Sequence, residues 1–202
     1  MQISLNITSL IKKFPQIILF HNLDFCLSTG QSLAITGPNG SGKSTLLQIL
    51  AGLQKPTSGE VKYLSNGNTV DFNSQQSFFG FTAPSLNPYD DLTGLENIEY
   101  VYRNDSEKGE INFFLNEFGL FQSKNKKVKY YSSGMKQRLK IICALINNPP
   151  VIIFDEPGTN LDNEGKIKVY NYLNRIKKNK ILIAATNDEK EAALCDTRLV
   201  LG

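Results

Sequence analysis

Tryptophan is absent from this chain, methionine occurs twice, histidine once and cysteine three times. With His21 alone, no metal centre built on several imidazoles is available. Cys26, Cys143 and Cys195 are odd in number, widely spaced and set among apolar residues, which argues against a disulfide or a zinc site and predicts buried reduced thiols. Long hydrophobic runs are missing too. IILF, VIIF and ILIAA have strand length, far short of the ~18 residues a membrane-crossing helix needs. The N-terminus, MQISLNITSLIKK, has no basic start followed by an apolar stretch, so no secretory signal is expected and any membrane role is expected to come through a partner. Nor does one charge dominate: 22 Lys and Arg stand against 19 Asp and Glu, a net +3 too mild to argue for nucleic acid. The densest basic run, KNKKVK from Lys124 to Lys129, is either a solvated face or a neighbour of membrane or nucleic-acid phosphates.

What is present is an ordinary globular composition, 41% hydrophobic and 20% charged over 202 residues, enough for one compact domain. Patterning predicts strands at Ile3 to Ile7, Leu23 to Leu27 and Ser32 to Ile35, a helix at Lys43 to Leu50, and short strands at Glu60 to Tyr63, Thr69 to Phe72 and Ser77 to Phe81. Residues 93–146 read as three helical pieces, broken at RNDSEKG and FGLFQSKNKK. After Pro149 and Pro150 come strand (Val151 to Asp155), helix (Glu164 to Lys177), strand (Lys180 to Ala185), short helix (Asp188 to Leu194) and a last strand at Arg198 to Leu201. This alternation predicts an α/β fold with a parallel core sheet, residues 93–146 being inserted between 1–92 and 147–202 as a helical subdomain.

Gly37-Pro38-Asn39-Gly40-Ser41-Gly42-Lys43-Ser44-Thr45 follows the apolar run SLAIT and opens the helix STLLQIL, the strand, loop and helix context of a P-loop. Glycines let the backbone curl so that successive N–H groups, from about Gly40 to Thr45, face a phosphate. Lys43 adds a mobile cation, Ser44 a hydroxyl for Mg²⁺, and the helix N-terminus positive potential. VIIFDEP, residues 151 to 157, is a buried-type strand ending in two acids. Asp155 is suited to hold the Mg²⁺ shell beside Ser44, and Glu156, one residue further out, to polarise an attacking water. A second anion-type element is YSSGMKQ, residues 131 to 137: Ser132, Ser133 and Gly134 stand before Met135, Leu139, Ile142, Cys143 and Ile146 at helical spacing. It reads as a phosphate-facing helix start or as an ordinary N-cap.

With these motifs in order, the chain resembles the ATP-binding cassette (ABC) ATPases from about Ile3 to Leu201. GPNGSGKST resembles the family's Walker A, VIIFDEP its Walker B with catalytic glutamate, YSSGM its LSGGQ signature and GTNLD, residues 158 to 162, its D-loop. The resemblance implies a P-loop fold with a RecA-like, mostly parallel core sheet, an antiparallel β subdomain and a helical subdomain. It also implies that Phe14, otherwise readable as core, stacks on adenine, and that Ser132, Ser133 and Gly134 close over the ATP of a second cassette in a head-to-tail dimer, homodimer or heterodimer.

Two departures accompany the resemblance. Asn187, in ILIAATND, stands where the family has its switch histidine; Asn can donate one hydrogen bond but cannot become cationic, so hydrolysis is expected to be slow while ATP binding is kept. The family's Q-loop glutamine is missing from FTAPSLNPYDDLTGLEN, where Thr82 or Ala83 takes its place, so the metal contact is expected from Thr82, water or the nearby backbone. The resemblance implies that this segment lines the groove where a transporter's membrane domain inserts its coupling helix, and Pro84, Leu86, Pro88 and Tyr89 give it either an apolar, stiff surface for that contact or an ordinary polar loop. The implied function is the ATP-hydrolysing subunit of a transporter, at the inner face of the cell membrane through a permease subunit, with ATP and Mg²⁺ and without direct nucleic-acid contact. It resembles small export-type subunits, such as those of heme exporters, more than importers with a regulatory domain. The alternatives are a slow-hydrolysing sensor and an ATPase acting on DNA or ribosomes.

Overall fold

The computed structural model describes residues 1–71, 78–103 and 108–202. Among them, β1 (Ile3–Phe14), β2 (Ile17–Ser28), β4 (Ser58–Ser65) and β5 (Asn68–Thr69) form an antiparallel sheet in the order β2-β1-β4-β5. β1 and β2 run longer than their patterns predict. Ile3, Leu5 and Ile7 alternate inward, but the register then shifts between Ile7 and Leu10, with Ser9 at φ 45°, so the period-2 signal stops where the strand does not. β5 is shorter than the predicted Thr69 to Phe72, whose last residue, like Ser77 and most of the RNDSEKG break, lies outside the described residues.

The second sheet is parallel throughout: β3 (Ser32–Thr36), β6 (Phe79–Thr82), β7 (Val151–Asp155), β8 (Ile181–Ala185) and β9 (Thr197–Val200), in the order β6-β7-β8-β3-β9. Every residue of β7 and β8 is buried, as a sheet covered on both faces requires. Side chains alternate across it. Val151, Ile153, Ile181 and Ile183 join α1 (Lys43–Leu50) and the inner face of the antiparallel sheet, whereas Ile152, Phe154 and Leu182 pack with α4 (Ser133–Leu145) and α5 (Asn163–Ile176). Between β6 and α4 lie α2 (Gly94–Val101), started by a Thr93/Glu96 capping box, and α3 (Lys108–Glu117). α6 (Glu189–Ala192) is shorter than predicted, because the Asp188 carboxylate caps it at Lys190 and the chain turns after Ala192.

Cys26 corrects the expectation of three buried thiols: it is exposed on β2, an edge strand. Cys143 and Cys195 are partly enclosed, and burial pushes both thiols up to about 12, far from nucleophilic. The Lys124 to Lys129 run is largely exposed and pinned by buried Val128; Lys124 lies 4.1 Å from the Phe121 ring centroid, and Lys129 pairs with Asp91 at 3.0 Å. No helix among the described residues is long and apolar enough to cross a membrane.

Candidate active site

Four parallel strands deliver their carboxyl ends to one edge of the sheet, where open α/β sheets gather functional groups. β3 leads into residues 37–45, β7 into Asp155 and Glu156, β8 into Thr186 and Asn187, and β6 into Thr82 and Ala83. Gly42 caps α1 at φ 96° and offers no side chain to occupy the helix's first N–H groups, which are left for a ligand. Lys43 is buried, its ammonium donating to the Gly37 carbonyl at 2.7 Å and to that of Pro38 at 3.1 Å. Asn39, Gly40, Gly42, Lys43, Ser44 and Thr45 line a cavity of about 280 Å³ together with Leu19, Asp155 and Glu156. Behind it the Ser41 hydroxyl is buried without a hydrogen-bond partner among the described residues.

Asp155 is 4% exposed. Desolvation pushes its carboxyl above the usual range, reinforced by the charge of Glu156 and opposed by the Ser44 hydroxyl and by Lys43. Glu156 takes φ 51°, a costly conformation for a residue with a side chain. It is held by its N–H donating to the Ala185 carbonyl at 2.8 Å and by the Thr159 hydroxyl donating to its carboxylate at 3.0 Å. The buried amide of Gln137, on α4, donates to the Pro157 carbonyl at 3.1 Å. Asn187 is exposed and its amide donates to Asn39 Oδ1 at 3.0 Å, tying the end of β8 to the P-loop. Beneath it Glu191, 3% exposed, accepts from the Thr186 hydroxyl at 2.6 Å and from the Tyr170 hydroxyl at 2.8 Å.

Ser132 is the N-cap of α4; its hydroxyl accepts from the Met135 N–H at 3.2 Å and keeps its own hydrogen for an outside acceptor. Ser133 lines a second cavity of about 200 Å³ with Lys136, Lys140 and Asn160, which shares Asp155 and Glu156 with the P-loop cavity. Gly134 is required by close approach, since a Cβ there would lie 2.9 Å from the Asn160 carbonyl oxygen. None of Ser132, Ser133 and Gly134 lines the P-loop cavity of its own chain.

A family model described as ABC transporter matches residues 20–159, more than half of the chain. The chain belongs to the ABC transporter family. YxlF of Bacillus subtilis (strain 168), an uncharacterized ABC transporter ATP-binding protein, is 30% identical over 203 residues, covering 98% of this chain and 67% of YxlF. The lipoprotein-releasing system ATP-binding protein LolD of Legionella pneumophila (strain Lens) is 35% identical, with 89% of this chain and 84% of LolD covered. Of a larger relative, ABC transporter A family member 11 of Dictyostelium discoideum, the chain spans only 22%, at 33% identity. The dimeric ATP-binding cassette MJ0796, in a post-hydrolysis state bound to ADP and Pi, matches at TM-score 0.84 and 27% identity, covering 98% of this chain and 94% of that one. The fold is therefore that of the P-loop ABC cassettes, and the chain is an ABC-type ATPase cassette.

Not every residue expected in the site meets in the cassette's cavity. Phe14 is 44% exposed on the β1–β2 hairpin, with the Lys12 ammonium 5.0 Å from its ring centroid, and does not line the P-loop cavity. Leu19, from the same hairpin, does; a Cβ on Gly42 would meet its Cβ at 3.1 Å. Thr82 is likewise not brought to Ser44 and Asp155. It ends β6 beside Phe154, is 2% exposed, and lines a groove on the α2 and α4 side. Leu19, Lys140 and Glu191 carried no motif. Gln137 closes YSSGMKQ but lies off the helical stripe of Met135, Leu139, Ile142, Cys143 and Ile146, so the periodicity gave no sign of its burial.

Proposed function

We propose that this cassette binds and hydrolyses ATP as the motor subunit of an ABC transporter, paired head to tail with a second cassette and driving a separate membrane subunit. One observation carries the reading: Lys43, Ser44, Asp155 and Glu156 line one cavity at the carboxyl edge of the parallel sheet, with Asn187 bonded to its Asn39. The open N–H groups of α1 and the P-loop take the phosphates, and Lys43 exchanges the Gly37 and Pro38 carbonyls for phosphate oxygens. The hydroxyl–carboxylate pair of Ser44 and Asp155, which both line the cavity, fits a phosphate-bound Mg²⁺, a cation that selects such hard oxygen ligands. When bound, Mg²⁺ supplies neutralisation of charge on the β- and γ-oxygens. Glu156, oriented by Thr159, polarises the attacking water. Phe14 serves the adenine from the hairpin that also carries Leu19.

Ser132, Ser133 and Gly134 act on the partner cassette's nucleotide, a reading supported by their separation from the cavity of their own chain. Residues 93–146 are the helical subdomain that carries this element. Asn187 donates to the γ-phosphate without the positive charge a histidine can hold; a missing oxyanion stabiliser costs about 10²–10³ in rate. The test is steady-state ATPase on purified protein. Glu156→Gln is expected to bind ATP and stop hydrolysing it, and Asn187→His to raise kcat by about 10². Hydrolysis that survives Glu156→Gln, or brisk turnover indifferent to Asn187→Ala, refutes the assignment.

A further inference from the structure

The turn that carries Asn187 and the loop that carries Thr159 meet at one buried carboxylate, Glu191 on α6. It is 3% exposed, and the side-chain donors that reach it among the described residues are two hydroxyls, Thr186 at 2.6 Å and Tyr170 at 2.8 Å. No cation among the described residues pairs with it: Lys166 goes to Asp188 and Arg198 to Glu189. A carboxylate so enclosed is costly to bury, and stability alone would favour an apolar side chain.

On one side Glu191 sets the turn at the end of β8. A hydroxyl has one hydrogen; with that given to Glu191, the Thr186 oxygen keeps its lone pairs for the Asp188 N–H, from which it accepts at 2.9 Å. Thr186 and Asp188 flank Asn187, so the hydroxyl that Glu191 orients closes the turn from which Asn187 reaches Asn39 at 3.0 Å. On the other side Glu191 meets Gly158. A Cβ there would collide with Glu191 Oε1 and with the Tyr170 hydroxyl, so both oxygens pack against the bare backbone of the loop. Gly158 stands between Pro157, whose carbonyl accepts from Gln137 at 3.1 Å, and Thr159, which donates to Glu156 at 3.0 Å. Tyr170, on α5, stays a donor in this contact: burial, then the hydrogen bond and charge of Glu191, push its hydroxyl above the ordinary tyrosine value.

We propose that Glu191 is a positioning residue for hydrolysis: one carboxylate, anchored by Tyr170, holds the Asn187 turn and the loop of Gly158 and Thr159 at a fixed separation, and with them Asn187 and Glu156. Glu191 lines neither cavity that contains Glu156, so it acts through these neighbours and not on the nucleotide. The proposal rests on the roles proposed above for Glu156 and Asn187 and adds what sets their spacing. The attacking water must lie between Glu156 and a phosphate that Asn187 contacts, and a displacement of ~1 Å in such a constellation costs about 10² in rate.

The test is steady-state ATPase, with ATP affinity measured separately, on the full chain carrying Glu191→Ala, Glu191→Gln or Tyr170→Phe, each alone and combined with Asn187→Ala. Glu191→Ala is expected to lower kcat by about tenfold or more while the dissociation constant for ATP stays within about twofold. Glu191→Gln, which keeps the shape and an acceptor for Thr186, is expected to stay within about threefold of wild type. In the Asn187→Ala background the Glu191→Ala loss should shrink to about threefold or less, because one positioned group is gone while Glu156 keeps its own bonds to Ala185 and Thr159. Plain destabilisation would give the same factor in both backgrounds. Tyr170→Phe, expected to lower kcat several-fold, carries the same comparison if Glu191→Ala does not fold. An unchanged kcat, an equal loss in both backgrounds, a matching loss of ATP affinity, or a Glu191→Gln protein as impaired as Glu191→Ala overturns this role and leaves the ATPase reading intact. Hydrolysis that survives Glu156→Gln defeats that reading and takes this role with it.

Discussion

Gly134→Asp separates the two halves of the proposed site. Within one chain, the new Cβ would lie 2.9 Å from the Asn160 carbonyl oxygen, in a loop where Asn160 itself has φ 65°. Overpacking of this kind costs about 1–3 kcal/mol. Replacing a helical glycine recovers about 0.5 kcal/mol, and an acid in the first turn of α4 roughly another 0.5 kcal/mol. Net destabilisation should therefore be about 1 kcal/mol, and the cassette should fold. Its own nucleotide is barely affected, because Gly134 does not line the P-loop cavity. Across the dimer the arithmetic differs. A carboxylate ~4 Å from a phosphate charge, at an effective dielectric of ~20, is opposed by about 4 kcal/mol per site. Two-fold symmetry doubles the penalty, which exceeds a 10⁴-fold loss in dimer affinity. The measurement is light scattering with ATP in a Glu156→Gln background, alongside titration of a fluorescent nucleotide into the monomer. A Gly134→Asp protein that dimerises with ATP, or one whose monomer loses nucleotide affinity to the same extent, refutes the in-trans assignment.

Asp155→Asn should stabilise the ligand-free cassette at neutral pH and abolish its Mg²⁺-dependent stabilisation by ATP, read as thermal midpoints with and without chelator. Burial raises the folded-state pKa above the ordinary 3.8, so between those values the folded state holds the extra proton, and wild-type stability falls as pH rises through that window. The Asn variant should lose that component of the pH dependence; an unchanged profile contradicts the desolvation argument. Tyr170→Phe removes the hydroxyl that donates to buried Glu191 at 2.8 Å, leaving one carboxylate oxygen short of a partner. The expected cost is about 2 kcal/mol, or a midpoint lower by roughly 4–8 °C for a chain of this size, and a urea midpoint within error of the wild type would rule it out.

Much of the fold was legible because its signals are local. The runs at β7 and β8 are continuously apolar, since both faces of a parallel sheet are covered, and the helix starts at Ser132 and Asp162 carry their own caps. β1 and β2 were cut short because a bulge breaks the period without ending the strand. Cys26 was misread because an apolar neighbourhood in sequence does not say which face of an edge strand a side chain takes.

The sequence by itself determined the phosphate loop, the acid pair and the second anion-type helix start, because each is a contiguous run whose chemistry depends on its own backbone. Tertiary structure alone decided which of them share a cavity. Asn39 and Asn187 meet across 148 residues, since parallel strands far apart in sequence end at one sheet edge, and Lys140 meets Ala83 across 57, since α4 packs beside β6. Those contacts leave no periodic trace in the chain. The same geometry held Ser132, Ser133 and Gly134 away from the P-loop cavity of their own cassette.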